Sequence, residues 1–252
     1  MRKVLSIFVI LLVLLTFCGC SAGTGKKKDD LLAEAVVLRQ DSFVDDVLNN
    51  PVKAESNYKG KTVLITGAVS DITADGVTIG GVFNISLSKD EIMLLDSSQV
   101  ITVVGIIDSF ETAEESDNYG GTTIKSTTVK ASIKKGYLVS DTQEITGTLK
   151  MYYTDSYSST GKVTKRTGDA AAWWLAVVTG SVGSSPEYHL EDAVPVTHTK
   201  GVDITKVTIS GKEVLSGQNI TIRGKVYYWG IEMGSSVQQY NVQDVELVSI
   251  NS

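Results

Sequence analysis

Two histidines and two cysteines are the whole stock of imidazole and thiol metal ligands in this chain of 252 residues. Cys18 and Cys20 both fall at the end of the first apolar run. The rest of the chain therefore has no thiol for a disulfide framework or for a cysteine-built zinc or iron–sulfur site. His189 is followed by Glu191-Asp192, and strand alternation would put His189 and Glu191 on one face. No serine or cysteine nucleophile accompanies them, and His198 sits in a polar stretch. There is no Gly-x-Ser-x-Gly, no His-Glu-x-x-His and no P-loop. Glu111, Glu114, Glu115 and Asp117 are close in sequence, but their spacing is not that of a calcium loop. They read as a solvated hairpin tip that also guards a strand edge, and Asp41, Asp45 and Asp46 read as a solvated helix face. The expectation is a non-enzymatic protein with no metal and no cofactor.

The aromatic residues are the more informative set. Tyr152, Tyr153, Tyr157, Trp173, Trp174, Tyr227, Tyr228 and Trp229 lie in the second half and include all three tryptophans. Adjacent aromatics on a strand point to opposite faces, so one of each pair should be exposed. Exposed aromatics bind glycans, peptides or partner surfaces by stacking and burial. Tyr153, Tyr157, Trp173, Tyr227 and Trp229 are the candidate ligand-binding residues. The competing reading is that Trp173 or Trp174, with Tyr228, fills a barrel core.

The cysteines belong to the first segment. Arg2 and Lys3 precede an apolar run from Val4 to Phe17, too short for a spanning helix and right for a signal-peptide core. It ends in Phe17-Cys18-Gly19-Cys20-Ser21. A small residue just before Cys20 resembles the bacterial lipobox, with Phe17 where that motif prefers leucine. The resemblance implies cleavage after residue 19 and a lipid on Cys20, with more than the two chains that stable anchoring takes. Residues 20–30, glycine-rich and then Lys26-Lys27-Lys28-Asp29-Asp30, read as a flexible tether. Losing Arg2 and Lys3 makes the exported chain more acidic than the −6 of the full sequence.

Downstream, apolar residues at 31, 32, 35, 36, 43, 44, 47 and 48 have helical spacing over Leu31 to Asn50. Ser42 with Asp45 looks like a capping box. Asn50-Pro51 would cap a second short helix that stops near Lys59-Gly60. Beyond Gly60 everything reads as strand, and one phrase recurs: a β-rich run broken by a glycine. It appears around Gly67, Gly105, Gly147 and Gly224. A glycine inside a strand marks a bulge or sharp coil, which small barrels need so that a long strand can belong to two sheets. Two such strands per barrel fit the first and fourth strands of a five-stranded OB-type barrel.

The first barrel reads as strands Thr62–Ile72, Gly76–Ile79, Val82–Leu87, Gln99–Phe110 and Thr122–Ile133. A short helix over Lys89–Leu95 has Ser88 as its cap, and Glu111–Gly121 is a hairpin loop. In the second half the strands are Glu144–Tyr153, Trp173–Thr179 paired with Tyr188–Pro195, Asp203–Ser210, Gln218–Trp229 and Gln238–Ile250. Thr154–Ala172 forms a long polar loop. The fold expected is mainly β: two tandem OB-like five-stranded β-barrels after a short N-terminal helical segment. The division is 1–19 signal peptide, 20–30 tether, 31–138 helical lead-in plus OB domain, and 139–252 second OB-like barrel.

Phe43-Val44-Asp45-Asp46-Val47-Leu48-Asn49-Asn50, Ala54, Tyr58-Lys59-Gly60-Lys61-Thr62-Val63, Thr66-Gly67 and Val69 resemble the bacterial envelope family named tRNA-anti-like. In that family a helix with a late asparagine precedes Tyr-Lys-Gly-Lys and the first OB strand. The resemblance spans residues 36–135 and implies an OB fold, with no catalytic residues to carry over. Residues Tyr188 to Leu247 resemble small OB-like domains of other envelope proteins.

The function expected is a lipid-anchored, non-enzymatic binding or scaffolding module facing outside the cytoplasm. Its partners would be the membrane, through the anchor, and an envelope protein or glycan. The alternative is oligonucleotide binding by an OB face. That needs a positive groove lined with stacking aromatics, whereas this chain is acidic and its first barrel has few aromatics beyond Phe83, Phe110 and Tyr119.

Overall fold

Closure of two small barrels dominates the computed structural model, which describes residues 27–119, 122–153, 173–180, 185–190, 194–195, 206–231 and 237–251. In chain order the elements are α1 (Lys28–Glu34), β1 (Val36–Val37), α2 (Gln40–Asn49), α3 (Pro51–Tyr58), β2 (Thr62–Thr73), β3 (Gly76–Ile79) and β4 (Phe83–Ser86). Then come α4 (Lys89–Ile92), β5 (Val100–Tyr119), β6 (Thr122–Ser140), β7 (Gln143–Tyr153), β8 (Trp173–Val178) and β9 (Glu187–Leu190). The chain ends with β10 (Val194–Pro195), β11 (Lys206–Ile209), β12 (Lys212–Leu215), β13 (Asn219–Ile231) and β14 (Gln238–Asn251). Residues 1–26, on which the expected signal peptide, Cys20 and most of the expected tether fall, lie outside the described residues, as do residues 154–172 with Tyr157, and Glu191, Asp192 and His198.

In the first barrel β2, β3, β4, β6 and β5 follow one another, and β5 pairs back with β2. All neighbours are antiparallel except β4 with β6. In the second, β7, β8, β9, β14 and β13 close on β7, and the parallel pair is β9 with β14. Numbered within each barrel, both run 1-2-3-5-4 and back to 1, the OB arrangement. The recurring glycines sit at matching places, Gly67 and Gly147 in the first strands, Gly105 and Gly224 in the fourth. Gly105 and Gly224 lie at shifts of register, so the strand bends there. A methyl on Gly67 would come within 2.6 Å of Ile79 Cγ2, and one on Gly147 would strike the Val178 carbonyl. Beside them the hydroxyls of Thr66 and Thr102 bond at 2.9 Å, and those of Thr146 and Thr221 at 2.8 Å.

Between the third and fourth strands the first barrel carries α4, capped by Ser88 and Glu91 bonding each other's backbone N–H. The second barrel instead carries the small antiparallel sheet β10-β11-β12. Each core is closed by a different plug. Phe43 and Val47 of α2 and Ala54 of α3 join Ile65, Ile79, Phe83, Ile101 and Ile133. Val207, Ile209 and Val214 of β11 and β12 join Leu149, Ile220, Val226 and Val242. Ser210, at the tip of that hairpin, donates to Val245 O and accepts from Leu247 N, which holds the plug on β14.

Four local expectations are corrected. The helical run from Leu31 breaks at Ala35, because β-branched Val36 and Val37 add a short parallel strand to β2, pairing with Val63 and Leu64. Both valines are exposed, so their helical spacing did not mark a core face. Ser42 caps nothing, since α2 starts from Arg39, whereas Asn50 does accept from Lys53 N in front of Pro51. Glu111–Tyr119 is strand: β5 and β6 continue as a ribbon in which Glu111 faces Lys130 and Ser116 faces Lys125. The side chains from Glu111 to Glu114 are all exposed, so this stretch has no apolar face for periodicity to reveal. Finally, Val194-Pro195 leaves the barrel to pair with β11, so only Glu187–His189 pairs with β8.

Candidate functional site

The segment that joins the barrels is short, and one buried side chain locks it. Gln99 is fully buried; its Oε1 accepts from Asp96 N at 3.0 Å and its Nε2 donates to Asp141 O at 2.9 Å. A buried amide with both ends bonded costs little and fixes a single geometry. Gln143 Nε2 reaches Val100 O at 3.3 Å, and Val100 packs on the second core. Ser98 adopts a left-handed backbone, φ 67°, uncommon for a residue with a Cβ. Its N–H donates to Val69 O, and its carbonyl accepts from Tyr228 N, each at 2.8 Å. Tyr227 pairs in a bridge with Gln99 and donates its hydroxyl to Asp96 Oδ2 at 3.1 Å.

Beside this junction opens a cleft of about 1060 Å³. The start of α2, β2 around Thr66–Ser70 and the Gly80-Gly81 turn form one wall; Tyr228, Gln238 and Tyr240 form the other. A narrower extension of about 290 Å³ runs past Gln143, Glu144 and Tyr188 and shares Thr66, Ala68 and Tyr240 with the main cleft.

Register builds the tyrosine wall. Tyr228 lies opposite Tyr240, and Tyr240 opposite Tyr188, a row across β13, β14 and β9. Tyr188 and Tyr240 stack with centroids 4.9 Å apart, and Tyr228 meets Tyr240 edge-on at 5.6 Å. Burial, with Tyr240 adding to it, pushes the Tyr188 hydroxyl up to about 12. Burial and then Tyr228 raise that of Tyr240. Both hydroxyls therefore hold their protons further into the alkaline range than a free tyrosine does. Tyr240 donates to Gln238 Oε1 at 3.0 Å, which aims that amide.

The opposite wall is polar and pre-bonded. Gln40 Nε2 donates to Gly80 O at 3.0 Å, and Gly81 N donates to Ser70 Oγ at 3.0 Å. Gly80 needs its left-handed φ of 58°, and a Cβ there would strike Gln40. Arg39 grips Asp41 through two bonds, 2.8 and 3.2 Å. The Arg39 hydrogen bond leads in holding the Asp41 carboxyl down to about 2.

Of the residues picked from sequence, Tyr227 sits at the junction and Trp229 is 65% exposed on the outer face, edge-on to His189 at 6.0 Å. Tyr153 and Trp173 are cross-strand partners at the ends of β7 and β8. His189 Nε2 lies 3.7 Å from Glu187, both largely buried, on the face of β9 opposite Tyr188. Among the described residues no cluster of three or more His, Cys, Asp or Glu side chains forms a metal site. Tyr188, Tyr240, Gln40 and Gln238 were not picked. The signal that finds them is the parallel pairing of third and fifth strands, which sets Tyr188 beside Tyr240.

A family model described as tRNA_anti-like matches residues 1–95. The match takes in α1 to α3, the first three strands of the first barrel and α4, and stops short of β5 and the whole second barrel. No curated protein matches the chain.

Proposed function

We propose that this chain is a lipid-anchored, non-enzymatic binding module of the bacterial envelope, tethered through Cys20 and facing outside the cytoplasm. The observation that carries the binding role is the inter-barrel cleft, whose neutral tyrosine wall faces a rim of fixed hydrogen-bonding groups. Such a site is concave, partly apolar and supplied with a few convergent polar groups, the usual make-up of a ligand site. The ligand is an envelope protein or glycan. Trp229, exposed on the same barrel, would offer further stacking surface. Oligonucleotide binding is the weaker reading: the charged side chains lining the main cleft are Arg39, Asp41 and Asp45, a net acidic set.

Two measurements test the proposal. Labelled fatty acid should enter the wild-type protein and Cys18→Ser but not Cys20→Ser; label retained by Cys20→Ser removes the anchor. A photo-crosslinking residue in place of Gln238 should capture an envelope component, and an empty crosslink there, with capture elsewhere on the surface, removes the cleft as the site.

A further inference from the structure

Resting on the reading of the cleft as a binding site, we infer that its ligand is a neutral glycan segment rather than a protein surface or a peptide strand. Shape argues first. A stable protein interface takes roughly 800 Å² from each partner, and a recess between two barrels admits a chain but not a globular surface. A peptide could enter as an added strand only by pairing with an open backbone edge. Among the described residues the tyrosine row is paired on its flanks: Tyr240 lies between Tyr228 and Tyr188, Tyr188 faces Val177 of β8, and beside Tyr228 the other edge of β13 is taken by Ser98, whose carbonyl accepts from Tyr228 N, and by the bridge of Tyr227 with Gln99. On the other wall β2 is bordered by β5 on one side and, on the other, by β1 at Val63–Leu64 and by β3 from Val69; the stretch Ile65–Ala68 between them, where Ala68 O already accepts from Gly80 N, is too short for an added strand.

Chemistry argues second. A sugar ring shows an apolar C–H face and a rim of hydroxyls that donate and accept at once. The tyrosine row supplies ring surface to the first. The amides of Gln40 and Gln238 donate and accept in the same plane, which suits neighbouring hydroxyls. Each amide is already oriented by one bond, to Gly80 O and from the Tyr240 hydroxyl, so little rotamer entropy is lost when sugar binds. Charge argues third. Arg39 is engaged by Asp41, and Asp45 adds a further negative charge, so a polyanion is repelled while a neutral chain is not.

The test uses the full-length protein in detergent micelles. Saturation-transfer NMR and calorimetry are run with three neutral probes, chitotetraose, cellotetraose and maltotetraose, and with an oligothymidylate. At least one oligosaccharide should bind, with saturation on its ring C–H protons and an affinity unchanged by added salt. Gln40→Ala and Gln238→Ala should each weaken it at least tenfold with the circular dichroism unchanged. Tyr240→Phe, which keeps the ring, should retain stacking but lose part of the affinity. No binding of any of the three at millimolar concentration overturns the inference, as does equal binding by the glutamine variants. Oligothymidylate binding with a steep salt dependence overturns it in favour of nucleic acid. A protein crosslinked at position 238 with no oligosaccharide bound would sink the glycan and leave the binding module standing; no crosslink and no sugar would sink both.

Discussion

The first barrel drives an aromatic plug into its core, with Phe43 wedged among Tyr58, Phe83 and Phe110 at centroid distances of 5.1 to 5.5 Å. The second barrel uses three aliphatic residues from a hairpin, Val207, Ile209 and Val214, and sends its tyrosines to the mouth that faces the first. Strand order, the glycines in the first and fourth strands and the threonine pair beside them are common to both. The frame is therefore set by backbone closure, which demands particular residues at particular places. The plug is exchangeable, because burial of apolar surface has no direction. The freedom to swap plugs leaves the second barrel's mouth open to become a cleft wall.

The largest effect that separates the barrels should come from the aromatic plug. Phe43→Ala should cost about 3–5 kcal/mol. All three tryptophans lie in the second half, at 173, 174 and 229, so their fluorescence follows that barrel alone. Urea unfolding followed by circular dichroism should therefore show an early first-barrel transition while the tryptophan midpoint stays. If both move together, the barrels unfold as one unit and the comparison fails.

The matching glycines should differ in cost. Gly147→Ala forces its methyl against the Val178 carbonyl, whereas Gly67→Ala meets only the end of the Ile79 side chain. Overpacking of this kind costs about 1–3 kcal/mol, with Gly147→Ala toward the upper end and visible in tryptophan fluorescence. Equal losses for the two would show that a backbone obstacle yields as readily as a side chain.

Alkaline titration sharpens the contrast by its cause. The Tyr58 hydroxyl is pushed up to about 12, chiefly by donating to Asp46, and Tyr188 to about 12, chiefly by burial. In both, the folded chain holds the proton more tightly than the unfolded one. The stability each contributes is whole below pH 10 and is lost as pH rises from 10 through about 12. Tyrosinate absorbance should show both titrating late. Asp46→Ala should lower the Tyr58 value and leave Tyr188 in place, because the first is set chiefly by its hydrogen-bond partner and the second by burial. A Tyr188 that moves with this substitution would contradict the packed row.

The smallest effect should be the same in both barrels. Thr66→Val and Thr146→Val each remove one exposed cross-strand hydroxyl pair, worth about 0.2–1 kcal/mol. Paired denaturation curves should show losses alike to within error; a clear inequality would mean the shared phrase does different jobs.

Much of the frame was legible because closure leaves local marks. Gly67, Gly105, Gly147 and Gly224 interrupt β-rich runs where a strand must bend, and Ser88 with Glu91 announces α4. The β5 arm of the ribbon, Glu111–Tyr119, was not legible as strand, since its side chains over Glu111–Glu114 are exposed and give no apolar period, whereas its partner from Thr122 was read as strand. Val36-Val37 misled for the reverse reason, as apolar residues that sit on a sheet edge. At the site, Tyr228 drew attention through its aromatic neighbours, but Tyr188 and Tyr240 are 52 positions apart and met only through the register of β9 with β14.

By itself, then, the sequence determined most of the strands and their bends, because each of these depends on residues within a few positions of one another. The tertiary structure alone decided how the barrels face each other. That geometry hangs on contacts such as Tyr227 with Asp96, 131 positions apart, and Tyr228 with Ser98. Pairings across such separations leave no period in the chain. The cleft exists only once the buried Gln99 has bonded both Asp96 and Asp141 and locked one barrel against the other.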